Sequence, residues 1–407
     1  MIIKSMTRAI VNKSVNTEFL QGVDVIDTGL TSYAGKDVTV ESSKTISTAY
    51  RCINVLSDDL AKMPLQTFIS RAPGQVERVR ADFRSQNIAW LMEISPNRWM
   101  TPFIFKKLMM TWLITWGNAY AWMPPRRAGA RREIFVLNSS TTTPVYDEET
   151  GRLSYETLFP DGETYHLPDV EVLHLLINSA EGVYGKSVVT YARESIGRQM
   201  GAYETQGKFY KQGLNPSGIL WMNGKVDRKE ARDKIRTSFE SEMSGSDNAY
   251  RLAIMDTDMV KFEPITMKPV DTQFLESINA TDVEIANFFG MPLYKLNMGK
   301  QAYNSNEQQD LDYLKTTLDP YLVQWEQAAA IRWLTEAEQN EMYLRFNRDA
   351  LLRTDAASRA ALIEKRIFSG VLTPNEGRQI DDLPAYPGGD NHYIPANMVA
   401  IGGADGK

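Results

Sequence analysis

Cysteine occurs once in this chain, at Cys52, and histidine three times, at His166, His174 and His392. A lone thiol closes no internal disulfide, and scattered histidines without further cysteines make no Cys/His zinc site. No metal and no other cofactor is expected. Long apolar runs are also missing. The longest uncharged stretch, Leu108 to Pro125 with its apolar part ending at Met123, is interrupted by Thr111, Thr115, Gly117 and Asn118, and it falls short of the roughly 20 apolar residues that span a bilayer. The opening MIIKSMTRAIVNKSVN breaks its apolar positions with Lys4, Arg8 and Lys13, unlike the core of a secretory signal. No membrane association is expected, and the cytosol is the expected compartment. Nor is there a basic excess: 45 Lys and Arg stand against 51 Asp and Glu, a net charge of −6. That balance disfavours a protein that grips nucleic acid through many phosphate contacts.

What is present is globular. The 407 residues are 43% hydrophobic and 24% charged, and Gly and Pro are not enriched, a composition that builds cores rather than disorder. At roughly 150 residues per domain, the length allows two or three domains. Residues 1–45 lack sustained periodicity and read as a loose arm. From Ser47 to Leu60, Tyr50, Ile53 and Leu60 share a helical face that Pro64 terminates. A second helix follows Pro102. Short alternating runs then dominate (AYAWM, EIFVL, TPVYD, RLSYETLF, ETYHL, EVLHLLI), separated by turn chemistry, which predicts a largely antiparallel β region.

After Gly185 the period changes, predicting a long helix from Val188 to Gln212. Residues 214–270 form a small α/β unit of their own, with strands SGILWM, YRLAIM and KFEPI around a charged helix. A helix from Thr272 to Phe289 follows, then the loop MPLYKLNMGKQAYN, then a helix from Ser305 to Leu334 that Pro320 should kink. A strand MYLRFN and a helical piece over 354–384 complete the pattern.

The segment AEGVYGKS, Ala180 to Ser187, ends in Gly-Lys-Ser at a strand-to-helix junction and has the look of a phosphate-binding loop, with Lys186 for the outer phosphates and Ser187 for magnesium. Asp256 after LAIM would be the acidic residue that helps hold the magnesium. An ATP-binding enzyme is therefore one alternative. Against it, Ala180 stands where the tight turn wants Gly, and the preceding strands are hairpin-spaced rather than parallel. Lys186 then reads as a surface lysine at a helix start. Other chemistry is weaker. Asp58-Asp59 reads as a solvated helix face, His174 as a hydrogen-bonded core histidine and Cys52 as packing. Trp90, Trp99, Trp112, Trp116 and Trp122 read as core, and Arg126, Arg127, Arg131 and Arg132 as a basic hairpin tip. A scaffold or adaptor using the β-rich surface is a further alternative.

In order along the chain, STAYRCINVLSDDLAKMPLQTF, SPNRWMTPFIFKKLMMTWLITWGNAYAW, EVLHLL, GVYGKSVVTYARESIG, FYKQGLNPSGIL, YNSNEQQDLDYLKTTLDPYLVQWEQA and GVLTPNEGRQIDDLPAYPGGDNHYIPANM resemble the portal proteins of tailed bacteriophages, in the large family of long-tailed phages and prophages. Lys186 departs from the apolar or small residue expected there, and both chain ends match poorly.

The resemblance implies an α+β portal-like subunit with a β-rich wing, a two-helix stem, a small α/β clip and a helical crown. It implies an N-terminal arm at 1–45, a wing at 46–186, stem helices at 187–213 and 271–290, and a clip at 214–270. It further implies a tunnel loop at 291–304, a long kinked helix and wing strand at 305–349, and a crown with its tail at 350–407. Such a subunit is not an enzyme. It joins a ring, of twelve copies in the family, at the capsid portal vertex of the virion, after assembly in the host cytoplasm. Double-stranded DNA passes through the ring in packaging and ejection, and the partners are the terminase large subunit, the major capsid protein and head-completion or connector proteins.

On that reading the tunnel loop brings Lys295, Asn297, Lys300 and Tyr303 to the DNA, and it should be mobile. Glu276, Asp282 and Glu284, on a helix without Lys or Arg after Asp271, would line the channel with negative charge that repels DNA and lets it slide. In the clip, Arg228, Lys229, Arg232 and Arg236 would meet the motor or connector.

Overall fold

In the computed structural model, the residues described are 30–72, 75–126, 131–147, 151–212, 218–222, 229–230, 233, 237, 260–264, 271–298, 306–351, 356–380 and 383–393. Two compact units divide the chain: 1–301 with 315–346, and 302–314 with 347–407.

The first unit begins with a hairpin, β1 (Leu30–Thr31) and β2 (Asp37–Val38), and a short helix α1 (Val40–Ser43). Here the expectation of a loose arm through residue 45 fails. Thr39 and Ser42 cap α1 reciprocally, and Val38, Val40 and Ile46 are buried. Helix α2 (Ser47–Lys62) buries Ala49, Cys52, Ile53, Leu56 and Leu60, whereas Tyr50 is 55% exposed and lies off the apolar face. The chain leaves α2 through Met63 and Pro64 into β3 (Leu65–Ala72), which turns back as β4 (Gln75–Arg78).

After α3 (Ile88–Glu93), helix α4 (Pro102–Trp116) starts with the Thr101 hydroxyl capping the Ile104 amide and Pro102 in the first turn. It stops at Gly117, whose φ of +76° is the left-handed helix end that glycine adopts freely. Strands β5 (Asn118–Trp122), β6 (Phe135–Leu137), β7 (Thr142–Asp147), β8 (Arg152–Leu158), β9 (Thr164–Pro168) and β10 (Val172–Leu176) follow. They form two three-stranded sheets, ordered β10-β5-β6 and β7-β8-β9. Every pair of these strands among the described residues is antiparallel, as the hairpin spacing predicts. Tyr120, Trp122, Leu137, Tyr155, Tyr165, Leu167 and Val172 make one core across both sheets.

The long helix expected from Val188 is two helices, α5 (Val188–Tyr191) and α6 (Arg193–Gln212), with Ala192 between them. The hairpin packs on α6: the Tyr33 amide donates to Glu194 at 2.9 Å, and Lys36 pairs with Glu204. A Cβ on Gly197 would meet Ser32 Oγ at 2.1 Å, so glycine is what admits this approach. Strands β11 (Gly218–Met222) and β12 (Val260–Pro264) pair with each other, with Gly218 opposite Pro264. The expected strand YRLAIM lies outside the described residues.

Helix α7 (Asp271–Phe288) is followed, in chain order, by α8 (Asn306–Tyr313), which belongs to the second unit, a π-helical turn over Leu314–Leu318 and α9 (Asp319–Trp333). The disturbance expected at Pro320 takes the form of this widened turn. Proline has no amide for the Thr316 carbonyl, and its ring crowds that carbonyl. A capped turn α10 (Glu336–Gln339) leads to β13 (Met342–Phe346), which returns to β3 with Phe346 opposite Leu65. The third sheet is thus β13-β3-β4.

In the second unit, α11 (Ala356–Phe368) and α12 (Pro374–Ile380) form the helical piece expected near the end. Thr373 and Glu376 cap α12 reciprocally, at 2.8 and 3.2 Å. Asn375 ties it to the following turn through the Tyr386 carbonyl and amide, both at 3.0 Å.

Candidate functional site

Helix α7 carries all three acidic residues expected to face a channel, and the structure separates them. An α-helix turns about 100° per residue, so Glu276 and Glu284 lie about 80° apart while Asp282 points to the opposite side. Asp282 is 7% exposed. It accepts from the Thr48 hydroxyl of α2 and from Gln199 Nε2 of α6 at 3.2 Å, and the same amide reaches Tyr203 at 3.1 Å. A carboxylate enclosed this way joins three helices and presents nothing to an aqueous channel. Glu284 is half-exposed, with Oε2 accepting from Ser195 Oγ at 2.9 Å and pairing with Arg198. Glu276 is exposed. The same helical arithmetic, applied to the sequence, separates Asp282 from the other two.

Beyond α7, Gly290 (φ +61°) ends the helix and Met291 is buried. A 3-10 turn over Leu293–Leu296 closes on Asn297, whose φ of +58° suits asparagine in the left-handed region. Lys295 was expected to be an exposed lysine on a mobile loop. Its side chain is 21% exposed, with Nζ 4.0 Å from Asp59 Oδ2 and 5.6 Å from the centre of the Tyr294 ring. Its carbonyl accepts from Arg51 Nε and Nη2 at 3.0 and 2.8 Å, and the Gly290 carbonyl accepts from Thr317 Oγ1 at 2.7 Å. Through residue 298 the loop is fastened to α2. Lys300 and Tyr303 lie outside the described residues.

The sequence reading missed Arg51 and took Asp59 for a solvated residue. Asp59 is 5% exposed and also holds Lys62 at 2.9 Å. Its neighbour Asp58 binds Lys107 at 2.6 Å. Cys52, next to Arg51, is buried as expected, and desolvation pushes its thiol up to about 12.

Of the basic residues expected at a clip, Lys229 lies in a described helical turn and is exposed, as are its neighbours Glu230 and Asp233. Arg228, Arg232 and Arg236 lie outside the described residues.

The phosphate-loop alternative is overturned by what occupies the segment. Ser187 Oγ donates to the Thr115 carbonyl at 2.6 Å and caps the Val189 amide at 2.9 Å. The Lys186 amide donates to the Ile177 carbonyl, and the Gly185 amide to Asn118 Oδ1 at 2.8 Å. Amides that would cradle phosphate are spent on the protein, and Lys186 is exposed as read. Asn118 Oδ1 also accepts from His174 Nε2 at 3.0 Å, which leaves His174 Nδ1 to accept from the Tyr155 hydroxyl at 3.3 Å. Desolvation, with Arg332 nearby, pushes the imidazole down to about 3, so His174 is a neutral hydrogen-bonding spacer.

A family model described as phage portal protein matches residues 47–382. The portal protein of Enterobacteria phage HK97 is 30% identical over 360 residues, which cover 88% of this chain and 83% of that protein. Among solved structures, a chain from the neck of a native gene transfer agent particle computed with C12 symmetry superposes with a TM-score of 0.56 at 19% identity, covering 85% of this chain and 93% of that one. An HK97 family phage portal protein from Corynebacterium diphtheriae superposes with a TM-score of 0.53 at 15% identity, covering 80% and 98%. These likenesses carry the same α+β fold.

Proposed function

This chain belongs to the phage portal protein family, and from that premise we propose that it is one subunit of a ring at the capsid portal vertex, through which double-stranded DNA enters and leaves. The observation that carries the proposal is the family match, which runs through both described units from residue 47 to 382. The portal-like neck computed with C12 symmetry supports twelve copies. The family is structural, and the ring needs no bound cofactor.

In this reading residues 46–186 form the wing, α6 and α7 are the stem, 214–270 the clip, 291–304 the tunnel loop and 350–407 the crown with its tail. The wing meets the major capsid protein. The clip meets the terminase large subunit during packaging and the head-completion or connector proteins afterwards, while the subunit passes from host cytoplasm to virion. Glu276, exposed on α7, supports an acidic lining, and Glu284 contributes only what Arg198 leaves unneutralised. DNA sliding past such a surface is repelled rather than held.

Measuring the mass of the purified protein, and imaging it in negative stain, tests the assembly. Rings with an open axial channel are expected. A chain that stays monomeric at high concentration, and is missing from the vertex when co-assembled with its shell protein, removes the proposal.

A further inference from the structure

Between β6 and the β8 end of the neighbouring sheet lies a cavity of about 450 Å³, within the range of a ligand pocket. Its walls are largely aromatic: Trp99, Trp122, Phe135 and Phe159, with Met100 and Leu137. Trp99 sits 5.7 Å from Phe135, and Trp122 lies 6.1 Å from Phe135 and 5.8 Å from Phe159, ring centre to ring centre. Unlike Trp122, at 6%, Trp99 is 62% exposed. It was expected in the core, and instead it forms one wall of an open aromatic slot. Leaving an indole in water forgoes the stabilisation its burial would bring, which makes this the place where a partner recovers it.

Two further features define the occupant. First, β6 is an edge strand of β10-β5-β6 among the described residues, and Phe135 and Leu137 on that strand line the cavity. Along that edge Ile134 already donates to the Pro96 carbonyl and accepts from Asn97 Nδ2, both at 2.9 Å, and by strand alternation Val136 is the next residue whose amide and carbonyl face outward for another extended peptide to match; a nucleic acid has no such backbone. Second, the charge at one end of the slot is positive. Arg98, half-exposed, lies 3.5 Å from the buried Glu133 carboxylate. Arg131 Nη2 reaches Ser95 Oγ at 2.7 Å, and that hydroxyl donates to the carbonyl of Asn97, which lines the cavity, at 2.6 Å. This end of the slot thus carries two guanidiniums and one carboxylate, with Arg98 within ion-pair distance of Glu133 and Arg131 held by a hydroxyl, in a chain whose net charge is −6. Beyond Phe159, Asp161 and Glu163 both accept from the Tyr165 hydroxyl at 3.0 Å.

We propose that this slot docks an extended acidic peptide segment of a partner protein, which adds to the β6 edge and lays one large apolar side chain against Trp99, with its carboxylate toward Arg98. The proposal stands apart from the ring and its channel, since every residue it uses lies within one subunit's β region.

The test is selection of a random heptapeptide display library on the immobilised full-length protein, with the Trp99→Ala protein used to deplete background binders. The expected winners carry an aromatic or large aliphatic residue beside Asp or Glu. A synthetic, fluorescein-labelled winner should bind the wild type in fluorescence polarisation, lose at least tenfold in affinity on Trp99→Ala, and weaken several-fold on Arg98→Gln. Because Trp99 and Arg98 are exposed, both variants should keep the wild-type circular dichroism and assembled mass. Winners that bind wild type and Trp99→Ala alike, winners with basic flanks, or no enrichment over the depleted library would each overturn the proposal. So would displacement of the peptide by a molar excess of the Trp99→Ala protein, which does not itself take up the peptide, since that would make the occupant a second copy. Loss of the assembled mass in the wild type would instead count against the ring.

Discussion

Lys106 is 3% exposed and its ammonium donates to the Met63 carbonyl, with the Phe346 ring 5.9 Å away. Among the described residues no carboxylate pairs with it, and desolvation lowers its pKa from 10.5 to about 8. Between those values the unfolded chain holds a proton that the folded chain has released, so stability rises with pH from 8 to 10.5. Below pH 8 the folded lysine is charged, and its full penalty, on the order of 3 kcal/mol for that shift, weighs on the fold. Lys106→Met removes the charge, keeps the apolar stem and gives up one hydrogen bond. A net gain of about 1 to 2 kcal/mol is expected at pH 7. Denaturant unfolding at pH 7 and pH 10 checks it: the gain should shrink at the higher pH, and an equal difference at both would rule out charge burial as its cause.

The strand-to-helix junction at Gly185 decides the second prediction. A Cβ there would lie 2.2 Å from the Gly117 carbonyl oxygen and 2.5 Å from that of Ile177, both backbone atoms that have no rotamer to escape into. Gly185→Ala should cost about 3 kcal/mol or more and lower soluble yield, as overpacking of fixed atoms does. Gly182→Ala is the control. Its φ is +78° but nothing lies within 4 Å, so only the left-handed strain remains, about 1 kcal/mol. Melting temperatures of the pair should separate clearly. This junction also shows what was legible in the sequence. Gly-Lys-Ser correctly signals a close backbone approach and a helix start, but a motif does not say what approaches, and here the approaching group is a carbonyl 68 positions earlier in the chain. Helices α2, α4 and α7 and the antiparallel strands were legible because their periodicity is local. The docked hairpin at 30–38 was not, because its order comes from Glu194 and Gly197 on α6. Asp59 and Lys295 were not either, since each reads as a solvated charge until the fold brings them together.

For the assembled protein, Lys295 and Lys300, placed in a tunnel loop by the proposed reading, have different expected behaviour. Lys295→Glu sets a second carboxylate against Asp59, which is almost fully buried, and should destabilise the subunit by about 1 to 2 kcal/mol while loosening 293–298. Hydrogen exchange over that segment reads the effect. Lys300→Glu, under the channel reading, should leave mass and melting unchanged and reduce the DNA packaged or retained, most visibly at low salt. Wild-type packaging by Lys300→Glu at every salt concentration would take that lysine off the DNA path.

One sheet has a consequence for how the protein is made. Strand β3 is complete only when β13 arrives, Leu65 opposite Phe346, and a ribosome adding about 5 to 20 residues per second takes tens of seconds to supply what lies between. For that interval β3 has β4 on one side and an open edge on the other, ready to pair with the same strand of a neighbouring nascent chain. Under the proposed ring assembly many copies are made together, and each is exposed to mispairing before the last strand emerges. Yield should therefore respond to slowed translation or to a holding chaperone more than to the stability of the finished fold.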